Sequence, residues 1–281
     1  MSRSVLGVDT QSDTLRAVLA TSDEGGTMSY RLLSHSLESG ISENGLELSL
    51  AVPDDRAIVK RLRFEPEPDL PLEDQLCFEL QTTLLDPADH FQFDYHKLPS
   101  DHEYLGIIYR RKVLTALRND LSPEFVQKAS SAEYHLRSIA LGRGYLKFAA
   151  PTQAEPTVLI DIAPGMTSVC FLDKGEIAGV ASLSMKGELP EEIQAVDEFM
   201  TDLRSVISLR LSTLTCADRF HNQYSLLVNH GRADDRLDLA LEQMFGLSPK
   251  RMVIDPSLVP LAGSSSDKPM EEFLVGLGLV A

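Results

Sequence analysis

The sequence predicts a duplicated α/β fold of two lobes, on three observations. The stretch from Val158 to Ser184, VLIDIAPGMTSVCFLDKGEIAGVASLS, sets out an apolar strand, an Asp near its end, a tight turn of small residues and a second apolar strand. A fainter copy, SVLGVDTQSDTLRAVLATSDEG, stands at the amino terminus, and helical periodicity follows each copy. With 281 residues and 31.0 kDa, the chain lies at the size where one core divides into lobes.

In chain order, Val5 to Val8, Leu15 to Ala20 and Met28 to Ser36 are β-prone runs separated by the turn clusters DTQSD and SDEGGT, a three-strand meander. GLELSLAVPDDRAIVKRLRF reads as two strands around a Pro53-Asp54-Asp55 turn, and PEPDLPLEDQ as a connector into an acidic helix start. Leu72, Leu76, Leu80 and Leu84 recur at helical spacing, with Leu85 extending the stripe. FQFDYHKL and YLGIIYRR are strands, VLTALRNDL begins a helix that resumes at PEFVQKAS, and AEYHLRSIALGRGYLKFA runs through a short strand into a helix. The order strands, helix, strands, helix predicts an inserted α+β unit.

After the linker APTQAEP, the second meander covers Thr157 to Ile162, Thr167 to Leu172 and Glu176 to Leu183. A long helix follows, since Ile193, Val196, Phe199, Met200, Leu203, Val206, Ile207 and Leu211 keep one apolar stripe. YSLLVNHG is a strand ending in a turn, ADDRLDLALEQMFGLS a helix stopped at Gly246, KRMVID a last strand, and EEFLVGLGLVA a terminal helix containing two glycines. The expected organisation is a first lobe over 1–45 and 134–152, an inserted α+β subdomain over 46–133, and a shortened second lobe over 153–281.

Composition excludes several functions. With 43% hydrophobic and 24% charged residues the chain folds. Its net charge of −16 leaves no positive field for nucleic acid, and the clusters Lys60-Arg61-Leu62-Arg63 and Arg110-Arg111-Lys112 read as a solvated strand edge and a helix start. No apolar run approaches the roughly 18 residues of a membrane span and no leader pattern opens the chain, which predicts a cytoplasmic protein that reaches a membrane only through partners. Cys77, Cys170 and Cys216 are odd in number and lack CxxC spacing, as reduced core residues do. His90, His96 and His102 fit no zinc spacing, and no G-x-S-x-G, H-E-x-x-H or Walker loop occurs. Glu191-Glu192 and Asp234-Asp235 lie near helix starts, where they complement the dipole. No catalytic residue and no metal ligand is assigned.

The segments LGVDTQSDTLRAVLA, LAVPDDRAIVKRLRFEPEPDLPLEDQLCFELQTTL, FQFDYHKL, VLIDIAPGMTSVCFLDKGEIA and LLVNHGRADDRLDLALEQMFGLSPKRMVIDP, in that order, resemble those of the PilM family. These are actin-like, FtsA-related proteins of type IV pilus assembly. The resemblance implies a two-lobed actin-like (ribonuclease H-like, duplicated) ATPase fold, with the inserted unit in place of an actin subdomain. It also implies an adaptor that captures the cytoplasmic tail of a PilN-like inner-membrane protein and links the platform to pilus motor ATPases.

The same resemblance implies where a nucleotide site would lie: Asp9, Thr10 and Gln11 in the first hairpin, Asp161, Gly165 and Thr167 in the second, and Gly231 after the strand YSLLVN. In this superfamily the strand-end Asp helps hold Mg²⁺ through water, and turn N–H groups meet phosphates. Here Gln11 stands where the pattern has Gly, and Asp13 adds a charge that repels phosphate. Ala163-Pro164 replaces another Gly and its neighbour, and Pro164 has no N–H to donate. Val228-Asn229-His230-Gly231-Arg232 keeps a single Gly and sets large side chains where a purine or ribose would sit. MKGELPEEIQ replaces the longer segment that forms a lid over the nucleotide. The expectation is a degenerate site with no cofactor. ATP and Mg²⁺ belong to the alternative, an active ATPase whose nucleotide state controls partner binding, while a small-molecule kinase lacks its catalytic acid.

Overall fold

The structure is a computed structural model that describes residues 3–10, 16–34, 45–121, 123–149, 155–185, 193–222, 224–230, 235–262 and 269–281. In chain order its elements are β1 (Arg3–Asp9), β2 (Arg16–Ser22), β3 (Met28–Ser34), β4 (Leu46–Val52), β5 (Ala57–Arg63), α1 (Leu72–Gln81), β6 (Phe91–Lys97), β7 (Glu103–Arg110), α2 (Arg111–Asn119), α3 (Pro123–Lys128), β8 (Ala129–Leu136) and α4 (Arg137–Phe148). The second half holds β9 (Thr157–Ala163), β10 (Met166–Asp173), β11 (Glu176–Ser184), α5 (Ile193–Thr213), α6 (Ala217–Asn222), β12 (Ser225–Asn229), α7 (Asp235–Phe245), β13 (Lys250–Arg251) and α8 (Leu274–Leu279).

Two sheets repeat one plan. The first runs β3-β2-β1-β4-β8 and the second β11-β10-β9-β12-β13. In each, the meander pairs antiparallel and its first strand then pairs parallel with a strand that follows a crossover. The similarity seen in the sequence between the two hairpins is thus a similarity of whole sheets.

One expected pairing differs. The strands flanking Pro53-Asp54-Asp55 do not form a hairpin, because β4 joins β1 in the first sheet while β5 pairs with β7 in a separate sheet of order β5-β7-β6. A single 3-10 turn at Asp54–Arg56 redirects the chain between them. Burial explains the split: Ser49 is as buried as Leu48 and Leu50, so β4 is covered on both faces as an interior strand is, whereas β5 carries Lys60, Arg61 and Arg63 along a sheet edge. The last strand is also shorter than KRMVID suggested, reaching only Lys250–Arg251.

α5 lays Phe199, Met200, Leu203 and Ile207 on Val158, Ile160, Val169 and Phe171 of the second sheet. Between the sheets lies α4, whose Ile139, Ala140 and Leu141 share one core with Val18 and Leu32 of the first lobe and Cys170 and Leu172 of the second. α8 crosses α4 so closely that only glycine fits. A Cβ on Gly278 would overlap the Ala140 carbonyl, one on Gly144 the Leu274 carbonyl oxygen, and one on Gly7 would come 2.6 Å from the Gly276 oxygen. The inserted sheet is packed by α1 through Leu76 and Leu80 and is tied to the second lobe by Arg61, which donates to the Thr213 carbonyl at 2.5 Å and to the Glu103 carboxylate at 2.5 Å.

Candidate functional site

The two hairpins bring their strand-end acids face to face. Asp9 ends β1, and Asp161 lies in β9 opposite Ser168 of β10 on one side and Asn229 of β12 on the other. Both carboxylates are buried. The space between them is filled by a side chain from the same protein: Arg137, the first residue of α4, 1% exposed.

Every terminal nitrogen of this arginine is engaged. Nε donates to Asp9 Oδ1 at 3.1 Å and Nη2 to Asp9 Oδ2 at 3.0 Å, a bidentate fork. Nη2 also donates to Asp161 Oδ2 at 2.5 Å, and Nη1 to the Ser168 hydroxyl at 3.0 Å. The other oxygen of Asp161 accepts from Asn229 Nδ2 at 2.7 Å. Burial alone would lower the Arg137 pKa, but the two carboxylates outweigh it and raise it above the ordinary arginine value.

A third carboxylate completes the network. Asp54 Oδ1 accepts from the Ser138 backbone N–H at 3.1 Å and from the Ser138 hydroxyl at 2.6 Å, and its Oδ2 accepts from the Ser168 hydroxyl at 2.6 Å. It therefore satisfies an orphan N–H in the first turn of α4, where a negative charge also meets the helix dipole. Burial pushes the Asp54 carboxyl up, while these donated bonds and Arg137 pull it back. The net effect leaves the Asp54 carboxyl above its ordinary value.

A magnesium nucleotide does not fit these residues. The carboxylate oxygens of Asp9 and Asp161 that would face the ion are occupied by the Arg137 guanidinium, so an ion would have to displace it. The hydroxyls of Thr10 and Thr167 are buried with no hydrogen-bond partner in the structure, so neither is recruited by the clasp. Gly165, with φ of 83°, follows Pro164 in the two-residue β9–β10 turn, a shape set by these two residues alone. His230 is buried and its Nε2 lies 3.2 Å from Asp238 Oδ1 on α7. Gln11, Asp13, Gly231, Arg232 and most of the MKGELPEEIQ segment lie outside the described residues. Among the described residues no group of three His, Cys, Asp or Glu is placed to hold a metal ion, and no helix is long and apolar enough to cross a membrane.

Sequence reasoning found Asp9 and Asp161 and missed Arg137, Asp54, Ser138 and Ser168. The available signal was a lone arginine in an otherwise apolar helix start, Leu136-Arg137-Ser138-Ile139-Ala140-Leu141, a position where a charge needs a buried partner.

Solved structures match this arrangement over nearly its whole length. A PilM–PilN type IV pilus biogenesis complex matches with a TM-score of 0.71 at 14% identity, covering 98% of this chain and 97% of that one. A protein of actin-like ATPase fold and unknown function from Bacteroides thetaiotaomicron VPI-5482 matches with a TM-score of 0.54 at 11% identity, covering 99% of this chain and 96% of that one. The fold is actin-like. No protein-family model matches the sequence, and no curated protein does. The clasp joins the first strand of one repeated sheet to the first strand of the other through Arg137.

Proposed function

We propose that this chain is a nucleotide-free actin-like adaptor of a type IV pilus or related filament or secretion machine. It binds the cytoplasmic tail of a PilN-like inner-membrane protein and sits at the membrane through that partner. The observation that carries the nucleotide-free part is Arg137, which spends its charge on both of the acids an ATPase of this fold would turn toward magnesium. The adaptor part is supported by the likeness to the PilM–PilN complex structure, which extends through the inserted unit as well as both lobes. Capturing an extended tail needs a groove or sheet edge and a few apolar contacts, none of which depends on ATP. The net charge of −16 favours a basic juxtamembrane tail.

Two titrations test the reading. Calorimetry with Mg-ATP, run beside thermal denaturation, is expected to give no heat and no change in Tm, since a ligand that binds the native state must stabilise it. A synthetic peptide of the PilN-like tail is expected to bind equally with and without nucleotide. Micromolar ATP binding with a raised Tm would favour an active ATPase, and absence of tail binding would remove the adaptor.

A further inference from the structure

We infer that Arg137 is a built-in cation that takes the place of a nucleotide-bound metal ion and ties the two sheets together through Asp9 and Asp161. This deepens the nucleotide-free reading of the same cleft. It makes a separate claim about what the arginine does there.

The geometry points to substitution for a metal. One nitrogen, Nη2, serves both lobes at once, at 3.0 Å from Asp9 Oδ2 and 2.5 Å from Asp161 Oδ2. Asp9 and Asp161 are the carboxylates that would hold a divalent ion here were the guanidinium absent. Asp9 and Asp161 belong to different sheets, and this one side chain bonds to both. The arginine is itself fixed from below, because Nη1 donates to Ser168, Ser168 donates to Asp54, and Asp54 caps the helix on which Arg137 stands.

Removal of the guanidinium leaves two buried carboxylates facing one another, with the unpartnered Thr10 and Thr167 hydroxyls close by in the chain. The repulsion between two such carboxylates is relieved either by a shared proton or by a captured cation, and a divalent ion relieves both charges at once. The prediction is that Arg137→Ala acquires divalent-ion binding that the natural chain lacks.

The test compares the full-length protein, Arg137→Ala, and the triple variant Arg137→Ala, Asp9→Asn, Asp161→Asn, each with Mn²⁺ or with chelator. Two readouts are taken: Tm, and the loss of the free Mn²⁺ electron paramagnetic resonance signal. Expected is a Tm gain of about 4–5 °C for Arg137→Ala when Mn²⁺ exceeds its dissociation constant about 100-fold, with the other two proteins unmoved. If Arg137→Ala does not fold alone, refolding from urea in Mn²⁺ and in chelator decides the matter: recovery only with Mn²⁺ supports the inference. Arg137→Ala that neither binds Mn²⁺ nor is rescued by it overturns the inference, as does an equal response from the triple variant. ATP binding by the natural chain would instead overturn the nucleotide-free reading, so the two failures are distinguishable.

Discussion

Gly278→Ala tests whether the crossing of α4 and α8 is set by backbone contact. The added methyl would overlap the carbonyl of Ala140 and lie 2.7 Å from the Gly144 nitrogen. Both are main-chain atoms of α4, so no side-chain rotation relieves the clash and one helix must shift. Forcing one carbon into a packed core costs about 1–3 kcal/mol and more where backbone must move, while Ala gains up to about 1 kcal/mol over Gly in helix propensity. The expected net loss is about 2–3 kcal/mol. At roughly 2 cal/mol/K of unfolding entropy per residue, a chain of 281 residues loses about 4–5 °C in Tm. Gly144→Ala should cost a similar amount, for its Cβ would overlap the Leu274 carbonyl oxygen. The double variant should lose less than the sum, since helices already pushed apart by one methyl admit the second more cheaply. Scanning calorimetry of the four proteins measures all three quantities. A Gly278→Ala Tm within about 1 °C of the natural chain, or strict additivity, would refute the close-crossing explanation.

Arg61→Ala leaves Glu103, 4% exposed, without its ion partner and should cost about 2–3 kcal/mol in urea unfolding; Arg61→Lys should recover part of it. Asp54→Ala strands the Ser138 N–H and two hydroxyls and should lower stability by about 3 kcal/mol, with Asp54→Asn milder; equal stability of Asp54→Ala would remove the brace beneath Arg137. Burial, with Arg143 nearby, pulls the His96 pKa down to about 4, below its unfolded value, so the unfolded chain binds the proton first. Stability is therefore lost as pH falls from about 6.5 to about 4, by no more than about 3 kcal/mol, and His96→Gln should flatten that part of the urea-midpoint profile. An unchanged slope would show that His96 is not the group responsible.

The two halves were legible because each repeats a local pattern: apolar strand, acid, small turn, apolar strand. Periodicity located α1, α2, α4 and α5 for the same reason. Pairing over long distances left no such trace. Arg137 reaches Asp9 across 128 residues and Asp161 across 24, and one sequence does not record which acids a helix-start arginine will meet. Asp54 looked like turn chemistry, as Pro-Asp-Asp ordinarily is, while its carboxylate in fact braces a helix 84 residues away. The same turn suggested a hairpin between β4 and β5, although β4's burial on both faces belongs to an interior strand. The two glycines of LVGLGL were visible in the sequence only as members of a terminal helix, whereas at the crossing they are what permits the contact.

The arginine clasp also changes when closure happens. A protein of this fold that relies on a diffusing ligand closes each time it meets one, and its closed fraction follows ligand supply. Under the proposed nucleotide-free reading the bridging charge arrives on the polypeptide itself, so the two sheets would be joined once, as the chain folds, whatever the supply of nucleotide. A partner would then meet a surface whose shape is inherited with the sequence.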